Sequence, residues 1–355
     1  MLKILDRYIL REYMRLFLLC LAFFAALVIV VMLLDKEISR LLAKDRTIIE
    51  AIKVILYKAP GLIMRVPCVP AGASLAAFFM LSRFVRNNEL AAMKSAGVSM
   101  YRIIFLLSAA TVVICILAGI FNDRIVASAN WRARVLEGRN RYHLIRNVIF
   151  KGKNNHMYYI QNVNLKTQTL INLTVYEFNT RDELTSETHA PLGIWSGNTW
   201  TLKDCVSRTF AEGKEIESSS LDVKRITVDE DPILFTDKKP VEMTYATLSK
   251  LVKYKKEAGR VFRGELVEMH HKIAYPFAAL VVILITVPLA VQYGRAGIAA
   301  GFLITMFISF MYWGIAIAIF EALGVNGVLP PAVACWASNV LFGAVGGVLI
   351  WKVDK

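Results

Sequence analysis

Residues 86–100, RNNELAAMKSAGVSM, separate two long apolar runs of the sequence. Because the runs on either side are apolar enough to cross a bilayer, this stretch is a short turn on one side of the membrane. Asn88 is placed to cap a short helix that begins at Glu89, an acid at the end where the helix dipole favours negative charge. One face of that helix carries Leu90, Met93 and Gly97, and Gly97 is expected to end the helix. The pattern fits either a solvated turn resting on the membrane surface or a docking helix for a cytoplasmic partner.

The composition of the whole chain supports this membrane assignment. The chain has 355 residues, 56% of them hydrophobic, and a mean hydropathy of +0.49, which is too apolar for an ordinary soluble domain. Six stretches without Asp, Glu, Lys or Arg reach or approach the roughly 20 apolar residues that a span needs. They are residues 16–34, 66–82, 103–121, 273–294, 296–320 and 333–351. The first is interpreted as a retained span, because it is too long for a signal peptide and lacks a small-residue cleavage site.

Basic residues predict how these spans are oriented. Lys and Arg cluster before the first span, between the second and third spans, and after the sixth span. Because Lys and Arg in short loops mark the cytoplasmic side, six spans with both termini in the cytoplasm fit this distribution. The segment 122–272 would then lie outside the cytoplasm.

The charges of the segment 35–65 disagree with this predicted orientation. It should lie outside, yet it carries seven Lys or Arg residues against four acidic ones. Long basic side chains that snorkel to the interface would explain this, and so would recognition of an anionic lipid head group at the outer face. Lys36 and Arg40 follow the first span most closely, so they are the candidate lipid contacts.

The external segment has the period of β-strands. In INLTVYEF, Ile171, Leu173 and Val175 alternate with polar residues, and WSGNTW places Gly197-Asn198 between two aromatic segments in the manner of a hairpin. Short strands with polar turns suggest an antiparallel sandwich. The predicted fold class is therefore a membrane α-helical protein with six transmembrane helices and a β-rich domain inserted between helices 3 and 4. The predicted domains are 1–121, 122–272 and 273–355.

The sequence lacks the motifs of several kinds of binding and catalytic site. The sequence has no phosphate-binding G-x-x-x-x-G-K-[ST] loop and no HExxH, and the predicted spans contain no catalytic dyad. The five cysteines show no disulfide or metal spacing and are expected to be apolar filler. Gly297–Gly301 and Gly343–Gly347 are glycine pairs four residues apart, which predict close helix packing.

Four segments together resemble the lipopolysaccharide-export permeases of the LptF/LptG type, and lean toward LptG. They are LDRYILRE, VPCVPAGASLAAFFMLSRFVRNNELAAMKSAGVSMYRI, VEMHHKIAYPFAALVVILITVPLAV and LPPAVACWASNVLF. The resemblance implies six spans and a periplasmic β-jellyroll. It also implies two paired permeases, here expected as a heterodimer, in an inner-membrane ABC transporter. Such a transporter extracts lipopolysaccharide from the outer leaflet of the inner membrane and passes it to a periplasmic bridge of jellyroll domains.

The resemblance also implies functional residues and partners. Residues 86–100 match the coupling helix of the family, and its glutamate matches Glu89. The expected ATPase-coupling residues are Glu89, Leu90, Met93 and Gly97, and the expected lipid contacts remain Lys36 and Arg40. The implied partners are a cytoplasmic ATPase dimer, a second permease, single-span and periplasmic bridge proteins, and lipopolysaccharide. No nucleic acid and no cofactor of its own are expected, since ATP would be bound by the partner ATPase.

Two other functions fit parts of the pattern. One is a permease of another lipid or lipoprotein ABC system with a large external domain. The other is a membrane-anchored periplasmic scaffold that moves nothing, although a scaffold has no need of a docking helix between spans two and three. Co-purification with an ATPase would separate transport from scaffolding.

Overall fold

A computed structural model describes most of the chain: residues 4–34, 48–136, 144–152, 155–164, 167–196, 199–211, 213–228, 238–257, 261–293 and 298–352. Contacts between residues divide the chain into two compact units. The membrane unit comprises 1–136, 240–245 and 263–355, and the β unit comprises 137–239 and 246–262.

The first half of the membrane unit is a series of helices. They are α1 (Ile4–Leu34), α2 (Ile48–Arg65), α3 (Cys68–Arg86), α4 (Glu89–Ser95), α5 (Met100–Phe121) and α6 (Ala127–Leu136). A π-helical turn, Asn122–Val126, joins α5 to α6 without a break. Because this helix runs through residue 121, the predicted domain boundary at 121/122 falls inside a helix, and α6 belongs to the membrane unit.

The second half follows the β unit and is also helical. Its helices, which follow α7 (Tyr245–Glu257) along the chain, are α8 (Arg263–Ala274), α9 (Ala278–Tyr293), α10 (Ile298–Trp313), α11 (Ala322–Val325) and α12 (Pro331–Lys352). A 3-10 turn, Tyr275–Phe277, joins α8 to α9, so the predicted boundary at 272/273 also lies within helical structure. A π-helix, Gly314–Glu321, extends α10.

The described helices confirm the predicted fold class. Five of them, counting α5 with α6 and α8 with α9 as continuous helices, are long and apolar enough to cross a membrane. The fifth predicted span corresponds to a shorter apolar helix within α10, which the π-helix lengthens. The described part of each predicted apolar stretch therefore lies largely on a helix, and the β unit is inserted between the third stretch and the fourth.

Helix α3 lies at the centre of the membrane unit. In its apolar stretch of 18 residues, 83% of the residues are buried, whereas in the corresponding stretch of α1 only 22% are buried. Small side chains let other helices approach closely, as at Gly72, where an added Cβ would lie 3.6 Å from the backbone nitrogen of Leu21 in α1. Pro67 is the N-cap of α3, and Pro70 lies in its first turn, where the missing N–H costs nothing.

The two glycine pairs singled out in the sequence differ in their surroundings. A Cβ added at Gly301 would overlap the buried ring of Phe78 in α3. At Gly343 and Gly347 an added Cβ would meet nothing within 4 Å. Gly301 is therefore a packing glycine of the membrane unit, whereas a side chain at Gly343 or Gly347 would meet open space. Gly297 lies outside the described residues.

We expect Gly301→Ala to destabilise the membrane unit and Gly347→Ala to leave its stability nearly unchanged. The added methyl group at 301 must displace a fully buried ring, and overpacking of this kind costs about 1–3 kcal/mol. Thermal unfolding of both purified variants in mild detergent measures the difference. If the two variants unfold at the same temperature, the contact of residue 301 with Phe78 is not tight.

The β unit contains one antiparallel sheet in which each strand pairs with the next along the chain. The strands are β1 (Leu144–Lys151), β2 (His156–Asn164), β3 (Thr169–Phe178), β4 (Leu184–Ser196), β5 (Thr199–Ala211) and β6 (Lys214–Thr227). A buried apolar cluster lies on one face, with Phe150 and Tyr158 stacked at 4.6 Å and Tyr254 of α7 (Tyr245–Glu257) beside them. The described strands thus form a single sheet, where the sequence suggested a sandwich.

Two details of the strand predictions have different outcomes. The hairpin at WSGNTW is confirmed, because β4 ends at Ser196, β5 begins at Thr199, and these two residues are paired. The prediction that Ile171 shares a face with Leu173 and Val175 is wrong. Asn172 has a φ of +52°, which interrupts the alternation, so that Leu173 is fully buried while Ile171 is 36% exposed.

Candidate functional site

The short helix predicted between the second and third spans is present as α4. It begins at Glu89 and ends at Ser95. Gly97, with a φ of +80°, ends it in a Schellman motif: the N–H of Gly97 donates to the carbonyl of Lys94, and that of Val98 donates to the carbonyl of Met93. The predicted role of Gly97 as the stop is thereby confirmed.

The start of α4 differs from the prediction. Asn88 has a left-handed backbone, with a φ of 58°, and its side chain makes no capping hydrogen bond. In this conformation the side chain does not reach the free N–H groups of the first turn as an extended N-cap residue would. Asn88 therefore serves the turn through its tolerance of the left-handed region.

The apolar face of α4 points into the membrane unit itself. Leu90 and Met93 are 6% and 7% exposed and belong to the main core cluster, which also contains Phe84 and Met100 from the flanking helices. The other side of α4 is exposed and carries small or polar side chains: Ala91, Ala92, Lys94 and Ser95. Two of the four predicted coupling residues thus anchor the helix from inside, within this chain.

Glu89 is half-buried at the start of α4 and accepts two hydrogen bonds. The Tyr8 hydroxyl of α1 donates to its Oε2 at 3.1 Å. The Asn87 side-chain amide donates to its Oε1 at 3.2 Å. Among the described residues Glu89 has no ion-pair partner, and each carboxylate oxygen retains a further lone pair with which it can accept a hydrogen bond.

The first turns of α1 contact both helices that flank α4. Arg102, in the first turn of α5, donates to both carboxylate oxygens of Asp6, at 2.9 and 2.7 Å. Arg83, in the last turn of α3, pairs with Glu12. The ring of Tyr8 stacks on Phe84 with centroids 5.6 Å apart. The turn that carries α4 is therefore held by α1 on both sides.

Comparison with known proteins identifies the family to which this chain belongs. A family model described as lipopolysaccharide export system permease LptF/LptG matches residues 7–352 of the chain. The chain belongs to the LptF/LptG permease family. The match runs from the start of α1 to the end of α12 and includes the β unit. None of the curated proteins compared with the chain matches it.

In this LptF/LptG-family permease, α2 is the described part of the basic segment 35–65. Lys36 and Arg40 lie outside the described residues, and their role as lipid contacts stays a prediction. Helix α2 is amphipathic, with Val54 buried and an exposed apolar stripe at Ile49, Ile52 and Leu56. Lys53 is exposed within this helix. Such a stripe with a nearby cation suits a helix at a lipid surface.

The permease also carries a group of charged side chains beside the ends of the predicted uncharged spans. Because α8 continues through the 3-10 turn into α9, residues of α8 extend a membrane-crossing helix. His271 Nδ1 lies 3.7 Å from Glu321 Oε2, and the His271 ring stacks on Tyr275 at 5.0 Å. Lys272 Nζ lies 4.0 Å from Asp123 Oδ1. The helical spacing of Glu268, His271 and Lys272 was the signal available in the sequence.

No metal site accompanies these residues in the described part of the chain. Within that part no group of three or more His, Cys, Asp or Glu side chains is arranged to hold a metal ion. The His271 ring stacks instead on the ring of Tyr275, as a packing residue does.

We expect Leu90→Ala to loosen the turn, and Ala92→Ser on the exposed side of α4 to have little effect. Large-to-small changes in a packed core cost about 2–5 kcal/mol, whereas exposed substitutions change stability by about 0.5 kcal/mol or less. Hydrogen exchange of the α4 amides in the full chain reports the free energy of opening. Equal protection in the two variants would contradict the inward packing of Leu90.

Proposed function

We propose that this chain is the permease subunit of an ABC transporter that extracts lipopolysaccharide from the outer leaflet of the inner membrane. A separate cytoplasmic ATPase dimer drives it, and the lipid passes to a periplasmic bridge toward the outer membrane. The observation that carries this proposal is α4, which is anchored on its apolar side and presents Glu89 with no ion-pair partner among the described residues. The family match over nearly the whole chain supports it.

The ATPase would dock on the exposed side of α4. A basic group of the ATPase would pair with Glu89, whose free lone pairs remain available beside the bonds from Tyr8 and Asn87. Both termini and the turn would then lie in the cytoplasm, in agreement with the basic residues around the turn. The chain itself would bind no nucleotide and catalyse no reaction.

The lipid would be recognised at the other end of the first span. The exposed apolar stripe of α2 supports contact with the acyl region, and its Lys53 supports contact with anionic head groups. Lys36 and Arg40, which follow α1 in the sequence, would contribute to the same attraction. A second permease of the family would complete the cavity, and its identity distinguishes a heterodimer from a homodimer.

The β unit would pass the lipid to a bridging jellyroll domain. Its last strand, β6, pairs with β5 and with no other described strand, and it is exposed over most of its length. Ile216, Leu221 and Val223 on this strand are 66%, 42% and 54% exposed. An open edge that bears apolar side chains supports strand addition by a like domain.

Charge reversal at Glu89 tests the proposal. We expect Glu89→Lys to release the ATPase or to uncouple ATP hydrolysis from lipid extraction, because losing one partner of a desolvated charge pair costs roughly 2–5 kcal/mol. The measurements are ATPase retention during purification, and the lipopolysaccharide transferred per ATP hydrolysed in proteoliposomes with a bridge acceptor.

The matched control is Glu50→Lys, a charge reversal at an exposed acid in the first turn of α2. It should retain the ATPase fully. Normal retention and normal transport by Glu89→Lys would remove Glu89 from the coupling site. A wild-type chain that purifies without any ATPase would favour the scaffold instead.

Photocrosslinkers in the β unit test the lipid path. We expect probes at Leu173 and Val175, which are buried in the sheet core, to capture lipid during turnover. Probes at Leu221 and Val223 on β6 should capture a bridging domain. Arg181, exposed in the connection between β3 and β4, serves as the control position and should capture neither. Crosslinking at the four test positions no stronger than at 181 would place the β unit off the path.

A further inference from the structure

The start of α1 makes three polar contacts with α4 and with the helix ends beside it. Two acidic side chains of α1, Asp6 and Glu12, pair with Arg102 and Arg83 on the two sides of α4. Between them the Tyr8 hydroxyl reaches Glu89 on α4 itself. The three contacts therefore join α1 to the end of α3, to the start of α4 and to the start of α5.

An apolar strip backs these polar contacts. Ile9 and Tyr13, one helical turn apart, are 1% and 0% exposed and lie in the same core cluster as Leu90 and Met93. The Tyr13 hydroxyl and Thr111 Oγ1 in α5 are 3.0 Å apart. The polar side chains thus lie beside a buried apolar contact between α1 and the turn. A shift of the turn relative to α1 would therefore disturb both the ion pairs and the apolar packing.

Helix α1 is suited to carry such a shift through the membrane. It is one α-helix from Ile4 to Leu34, and its sequence contains neither proline nor glycine, the usual causes of a kink. With a rise of 1.5 Å per residue it is about 46 Å long, more than the roughly 30 Å hydrocarbon core. Its first turns therefore extend beyond the span, and its far end leads into the basic segment at Lys36 and Arg40.

We propose that the first turns of α1 form a clamp, made of Asp6, Tyr8 and Glu12, that positions the coupling helix and transmits its movement to the first span. This inference rests on the proposed function, since the movement would come from the ATPase docked on α4. Tyr8 is a positioning residue for Glu89: its hydroxyl donates to one carboxylate oxygen, and both carboxylate oxygens keep a further lone pair that can accept a hydrogen bond. Asp6 and Glu12 hold the two sides of the turn in register with α1.

Removing one oxygen atom tests the contact with Glu89. Tyr8→Phe keeps the ring on Phe84 but loses the hydrogen bond, and we expect the lipopolysaccharide transferred per ATP to fall by about threefold to tenfold, the effect of one partly exposed hydrogen bond. ATPase retention should stay at the wild-type level. Tyr101→Phe is the matched control, because Tyr101 is 48% exposed near the same turn and its hydroxyl has no described hydrogen-bond partner.

A charge exchange tests the clamp independently of Tyr8. Asp6→Arg and Arg102→Asp should each lower the transfer ratio, and the double variant should restore most of it, because the pair is re-formed with its charges reversed. A merely structural loss in either single variant would not be rescued in this way. Hydrogen exchange of residues 87–99 in the full chain without ATPase should rise in Tyr8→Phe and not in Tyr101→Phe.

These results separate the clamp from the proposed function. A transfer ratio in Tyr8→Phe equal to that of Tyr101→Phe, or a folded double variant that is no better than its single variants, overturns the clamp while the transporter stands. A wild-type chain that retains no ATPase overturns the proposed function and the transmission together. In that case unchanged exchange at 87–99 in Tyr8→Phe would also show that the contact does not hold the turn.

Discussion

The close approach of helices around α3 is the constraint on which the rest of the membrane unit depends. Apolar burial gives little net attraction between helices in lipid, so tight packing and a few internal hydrogen bonds must hold them together. Small residues along α3 let α1, α9 and α10 contact the same helix. The Ser74 and Ser309 hydroxyls, 3.3 Å apart, join α3 to α10 within that packing. Where a glycine of α10 faces the Phe78 ring, the space for a side chain is already filled.

This packing determines what α4 can offer a partner. A helix of about two turns does not hold its shape alone in water. Here its apolar face is satisfied by its own bundle through Leu90 and Met93. Recognition from outside would therefore rely on small side chains and charge, and little apolar burial would be left to gain. Such a helix behaves as a preformed projection, so a partner need not supply the free energy to fold it.

Charged pairs near the two ends of the continuous helix formed by α5 and α6 differ in their surroundings. The pairs around the turn have arginines that are 38% and 50% exposed, so they contribute more to geometry than to stability. At the other end, Arg134 and Glu242 are 13% and 5% exposed with their side chains 2.8 Å apart. Losing either partner there would leave a buried charge, which is strongly destabilising. The exposed pairs at the first end can therefore rearrange at little cost. The buried pair at the second end holds α6 against the turn at Pro240–Glu242.

The sequence alone determined the membrane class, the six apolar helices, the antiparallel β insert and the short helix at Glu89. Each depends on a local property: run length, a period of two, or a glycine able to adopt a positive φ. Only the tertiary structure decided which glycine packs, that Asn172 reverses the alternation of β3, and that Leu90 and Met93 face inward. Those outcomes depend on neighbours far apart in the chain. An apolar helical face has the same sequence pattern whether its own bundle or a partner covers it. The contact of Tyr8 with Glu89 joins residues 81 positions apart.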